Sequence, residues 1–93
     1  MQIDILEKIE TDFENSKEVV EILKAMEPMN HGPISDRVYR GIVFLAQGSI
    51  EKLNHYIELY YKDYRDLLWQ AEYENPEVRK YDFNKSFDEL GLP

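Results

Sequence analysis

From Ile50 to Asn75 the chain runs without a glycine or proline, and its apolar residues Ile50, Leu53, Ile57, Tyr60, Tyr64, Leu67 and Ala71 recur at alternating spacings of three and four. That spacing draws one stripe along a helix and excludes a strand, whose inward residues alternate with a period of two. An unbroken helix here would be roughly 35 Å long at ~1.5 Å per residue. Everything else in the chain has to be arranged around such a rod. Asp63 and Asp66 are the one local ambiguity, because either can cap a fresh helix start and so place a kink near Lys62.

The segment before the rod reads as its partner. Ser35 is a favourable N-cap for "DRVYRGIVFLAQ", in which Val38, Ile42 and Leu45 mark one face. Val43, Phe44 and Ala46 make the second half of this helix apolar nearly all round, so it belongs at the centre of the fold. Gly41 in mid-helix costs about 1 kcal/mol against alanine, which close approach of a neighbouring helix would offset. Gly48 suits a left-handed stop and Ser49 the next N-cap. The expectation is an antiparallel helical hairpin of about 36–47 and 50–74.

Upstream, Ile3, Leu6, Ile9 and Phe13, then Val19, Val20, Leu23 and Met26, keep helical spacing in two groups. Thr11 with Glu14 and Asn15 with Glu18 have the form of capping boxes between them. Two helices follow, about 3 to 10 or 14 and 16–27, with a single bent helix as the alternative. Pro28 and Pro33 with Gly32 make 28–35 an internal loop. Beyond a connector at 75–81, Phe83, Phe87 and Leu90 give a short amphipathic helix, capped by Asp82 or Ser86 and stopped by Gly91. The fold class is therefore all-α: one domain, 1–93, of four main helices and a short C-terminal helix that packs back on the hairpin.

Trp69 breaks the simple pattern. With Tyr64 and Ala71 at a positions it falls at f, on the far side of the rod, between Arg65 and Tyr73 one turn away on either side. Burying an indole is worth about 2 to 3 kcal/mol, and the C-terminal apolar residues need a surface. Residues 82–90 are thus expected to fold over Trp69 and Tyr73, with a partner protein or a second copy as the alternative cover.

Charge and composition narrow the function. The chain has no cysteine, which removes disulfides, thiolate nucleophiles and cysteine-based metal sites. It carries a net charge of −8 without a basic cluster, so nucleic acid and anionic lipid are not expected partners. No apolar run approaches the ~18 residues of a membrane span, and the acidic start lacks the pattern of a signal peptide, giving a cytoplasmic expectation. Glu51, His55 and Glu58 share one helix face and form the only metal-ligand pattern, although two turns alone seldom complete a site and a solvated charged face is the plainer reading. Ser16, Ser35, Ser49 and Ser86 read as caps or loop residues rather than nucleophiles. No cofactor motif is present.

Arg37 and Arg40 are expected to pair with the acidic N-terminal helices, and to lie at the opposite end of the hairpin from Arg65 and Asp66. Tyr60 and Tyr64 read as core, while Tyr56 and Tyr61 flank the stripe and, with Arg65, Trp69 and Tyr73, form the candidate interaction surface. Residues 36–73, "DRVYRG" through the turn at Gly48 to Arg65, Asp66, Ala71, Glu72 and Tyr73, resemble a type of small bacterial all-helical protein of no known function. The resemblance implies that the hairpin is a unit and carries no activity. The functional expectation is a non-catalytic protein-interaction or regulatory module, possible as a homodimer. A small-molecule or metal-dependent enzyme with a site near His55 and Arg65 is the alternative, and an acidic mimic of nucleic acid is a further one.

Overall fold

The computed structural model describes residues 1–29 and 32–92. Asn30 and His31, within the expected 28–35 loop, lie outside the described residues. The described residues are compact and mostly helical, with four helices and a short two-stranded sheet. The helices are α1 (Ile3–Asp12), α2 (Ser16–Lys24), α3 (Asp36–Ala46) and α4 (Ile50–Glu72). The strands β1 (Tyr73–Asn75) and β2 (Val78–Arg79) follow at once.

The N-terminal stripe is buried only in part: Ile3 is 70% exposed, and Ile5, outside the expected set, takes a core position. Ile5 and Ile9 of α1, Phe13 after it, and Val19 and Leu23 of α2 are all buried in one core. The capping boxes do not form: the Thr11 hydroxyl donates to the Glu7 carbonyl within its own helix, and Asn15 makes no side-chain cap bond. α2 ends at Lys24, short of the expected 27.

α3 is the inner element, burying Val38, Arg40, Gly41, Ile42, Val43 and Ala46. The Ser35 hydroxyl accepts the Val38 amide at 3.3 Å and the Ser49 hydroxyl accepts the Lys52 amide at 3.2 Å, so both expected caps are in place. Between the two helices Gln47 and Gly48 are both left-handed, at φ 48° and 80°. A methyl group on Gly48 would strike the carbonyl oxygen of Asp12, so the turn is pressed against the end of α1.

α4 is broken at Asp63, which has φ −162° and ψ 93°. The Asp63 carboxylate accepts the amides of Arg65 (3.1 Å) and Asp66 (3.3 Å), the arrangement of an N-cap that restarts the helix. In a straight antiparallel pair Gly41 would sit level with about residue 55, five residues back from the turn at ~1.5 Å each. Instead a methyl placed on Gly41 would lie 3.3 Å from the Ala71 Cβ and 3.9 Å from Leu68. The break therefore lays the second segment of α4 across the middle of α3, and the absent side chain at Gly41 is what admits it. The long straight rod of the sequence reading is replaced by two shorter ones, each with its part of the stripe buried: Leu53 and Tyr60 in the first, Leu67 and Ala71 in the second.

The sheet begins inside the expected 50–74 helix, which stops at Glu72, and runs into the expected 75–81 connector, so the fold is not purely α. β1 and β2 pair antiparallel, Tyr73 with Arg79 and Asn75 with Val78, and the Asn75 side chain accepts the amides of Glu77 and Val78 across the turn. The expected C-terminal helix is instead a series of turns. Ser86 does cap, accepting the Glu89 amide at 3.2 Å, but only one turn follows before Leu92 donates back to the Phe87 carbonyl.

A Gly48→Ala substitution is expected to cost more than about 1 kcal/mol, since it forces a left-handed backbone on alanine and a collision with Asp12. Urea denaturation of the two proteins side by side measures it.

Candidate functional site

Two buried carboxylates determine where the end of the chain lies, and hence which surface stays open. Glu72, last residue of α4, is 0% exposed. Its Oε2 accepts Arg37 Nε at 3.0 Å and the Phe83 amide at 2.9 Å, while Oε1 accepts Arg79 Nη2 at 3.1 Å and the other arm of Arg37. Its backbone carbonyl takes the amides of Lys80 and Tyr81. Asp4 of α1 holds Arg40 through both oxygens, at 2.9 and 3.0 Å, and accepts the Phe87 amide at 3.1 Å. Arg40 in turn donates to the Phe83 carbonyl at 3.1 Å. Among the described residues no buried side-chain nitrogen or oxygen lacks a partner.

The tail is thus gripped by its main chain at Phe83 and Phe87, whose rings enter the core. Phe83 packs against Phe44 (centroids 5.2 Å apart), Tyr81 and Phe87. This overturns the expectation that residues 82–90 cover Trp69. The hairpin at 73–79 turns the chain back, and the two carboxylates draw it over α1 and α3. Trp69 is left 46% exposed and Tyr73 37% exposed.

Beside the indole is a shallow groove of about 340 Å³. Its charges are Arg37, Arg65 and Glu72, its rings Tyr64, Trp69 and Tyr73, and Leu68 completes the lining. Arg37 and Arg65 therefore meet in one groove, contrary to the expectation that they lie at opposite ends. The expectation misread the hairpin: Arg37 opens α3 and Arg65 lies past the middle of α4, so an antiparallel pair already sets both away from the turn at Gly48, and the break at Asp63 lays the second segment of α4 against α3 beside Arg37. Arg40 pairs with the N-terminal helix as expected, whereas Arg37 is taken by Glu72. Arg65 lies 5.9 Å from the Tyr64 ring centroid, and its guanidinium is held above its ordinary pKa first by the Tyr64 hydroxyl.

The other candidates are dispersed. Tyr61, 42% exposed, accepts the Glu27 amide through its hydroxyl at 2.7 Å, which ties the segment after α2 to α4. Tyr56 packs partly on the core and edge-on to His55. Glu51, His55 and Glu58 are exposed, and no three histidine, aspartate or glutamate side chains among the described residues are grouped to hold a metal ion. His55 and Arg65 line different depressions. Sequence reasoning missed Glu72 and Asp4; the available signal was an acid next to a buried stripe residue, facing an arginine pair spaced i, i+3 on the inner helix.

Hydrogen bonding to Arg40 holds the Asp4 carboxyl below its ordinary value of 3.8, against the opposing effect of burial. For Glu72, burial pushes the carboxyl upward, but Arg37, the Phe83 amide and Arg79 outweigh it and leave the group below its ordinary 4.5. Both folded values are depressed, so the stability they contribute is complete above the ordinary values and is lost as pH falls through the folded ones. Glu72→Gln is expected to cost about 2 to 3 kcal/mol at pH 7, toward the low end for breaking a buried pair because both arginine partners are about a third exposed. The variant's stability is also expected to fall less steeply than the wild type's below about pH 5, as measured by denaturant midpoints across pH.

No protein-family model, curated protein or solved structure matches the chain in the three comparisons made.

Proposed function

We propose that the chain is a non-catalytic protein-interaction module and that the groove edged by Arg65, Trp69 and Tyr73 is its contact surface. The observation that carries this reading is the half-exposed indole, flanked by an exposed arginine and tyrosine, which the tail leaves bare. Arginine, tryptophan and tyrosine are the residue types that dominate binding energy at protein interfaces. Arg65 and Trp69 stand on the segment of α4 that packs at Gly41 against α3, and Tyr73 follows at the start of β1, a fixed base that lowers the ordering cost of association. Tyr61 and Tyr56 take part at most at its margins, since each is engaged by its own chain.

The enzyme reading has less support, because His55 and Arg65 line separate depressions and the groove at Arg65 is shallow. No helix among the described residues is long and apolar enough to cross a membrane. A partner in the cytoplasm, or a second copy of the chain, agrees with the sequence expectation.

The double variant Arg65→Ala, Trp69→Ala is expected to keep the wild-type circular dichroism spectrum and cooperative melt while its association weakens at least about 30-fold, the loss of a single hot spot. Immobilised wild-type and variant proteins exposed to the same cell extract, with sedimentation velocity to detect self-association, measure both. An identical partner set and identical sedimentation for the two proteins would sink the proposal.

A further inference from the structure

The groove proposed as a contact surface differs in charge from the rest of the molecule, and this points to the chemistry of its occupant. The chain carries −8 overall, yet Glu72 is the only carboxylate among the residues that line the groove. That carboxylate is 0% exposed, and both its oxygens are filled by Arg37, Arg79 and the Phe83 amide. What the groove presents to solvent is one edge of Arg37, whose side chain is 33% exposed, and the exposed Arg65, which also bonds the Tyr64 hydroxyl. The nearest acids on the same helix accept neutral amides, Asp63 from two backbone groups and Asp66 from Gln70, and Asp63 keeps a charge that acts on Arg65. The guanidinium fork matches a carboxylate, and the faces of Trp69 and Tyr73 offer an apolar platform beside it.

We infer that the groove receives an acidic peptide segment of a partner protein, with a carboxylate on Arg65 and the outer edge of Arg37 and an adjacent aromatic or aliphatic side chain on Trp69. The inference rests on the contact-surface reading and adds the class of partner to it. Nucleic acid is the other anionic macromolecule, but residues 1–27 carry a net −5 and residues 72–93 a net −3, and a long phosphate backbone would have to pass close to these acids. A short peptide does not.

The test selects a random dodecapeptide display library on the full-length protein, with counter-selection on the variant Arg65→Glu, Trp69→Ala. The peptides retained are expected to be enriched in Asp and Glu next to aromatic or aliphatic residues. Synthesised, the best of them is expected to shift the emission of Trp69, the chain's single tryptophan, with saturation; binding should weaken at least about tenfold in Arg65→Glu alone and fall as salt is raised from about 50 to 300 mM. Retention of neutral or basic peptides that are lost on the variant would overturn the acidic class while leaving the contact surface standing. Failure to retain any peptide that the variant does not also bind would overturn both. A single-stranded oligonucleotide that shifts Trp69 emission as tightly as the best peptide, or a concentration-dependent dimer abolished by Trp69→Ala, would replace the acidic segment with a different occupant.

Discussion

A carboxylate removed from water must have its lone pairs filled, and the fold of this chain is organised around meeting that demand twice. Glu72 draws together the start of α3, the second strand and the tail; Asp4 draws together α1, α3 and the tail. An isolated buried charge would cost several kcal/mol, whereas a fully bonded one permits a single arrangement of its surroundings. Arg40 completes the link, since it bonds Asp4 with one part of its guanidinium and the Phe83 carbonyl with another. The segment 83–87, which has too few residues for a stable helix of its own, is ordered by this grip and by two phenylalanine rings in the core.

The exposure of Trp69 is a consequence of the same arrangement. Apolar area alone would favour tail residues over the indole, by the few kcal/mol that such burial is worth. Against that stand the burial of Phe83 and Phe87 beside Phe44, and three backbone hydrogen bonds to charged groups, each stronger than a neutral one. The tail can occupy only one of the two surfaces. The groove is therefore the surface that the chain's internal bonding leaves available, with an arginine at its rim.

Much of the local structure was legible in the sequence because it depends on neighbours a few residues apart. The helix faces, the caps at Ser35 and Ser49, the left-handed Gly48 and the close approach at Gly41 all follow from spacing or steric rules. The break at Asp63 was present as an alternative cap, and it is realised because it brings Leu67 and Ala71 onto α3. What spacing could not reveal was the position of the tail. Its docking depends on pairings across 36, 35, 11 and 83 residues, between charges whose sequence context resembles that of the many solvated acids around them. The convergence of Arg37 and Arg65 in one groove was within reach of the sequence, because the start of α3 and the far part of α4 share the open end of an antiparallel hairpin. The two-stranded sheet escaped because five exposed residues in two short strands carry no apolar alternation.

The bond from the Phe87 amide to Asp4 joins two residues 83 apart. On the ribosome, Asp4 is made 83 residues before Phe87, so a nascent chain holding α1 to α3 but not yet 83–87 has that carboxylate short of one donor and the Phe44 side of the core uncovered. Water must serve as the missing donor until the tail arrives. This corner of the protein therefore stays wet until residues 83–87 dock, and until then the apolar surface they cover is open to wrong contacts.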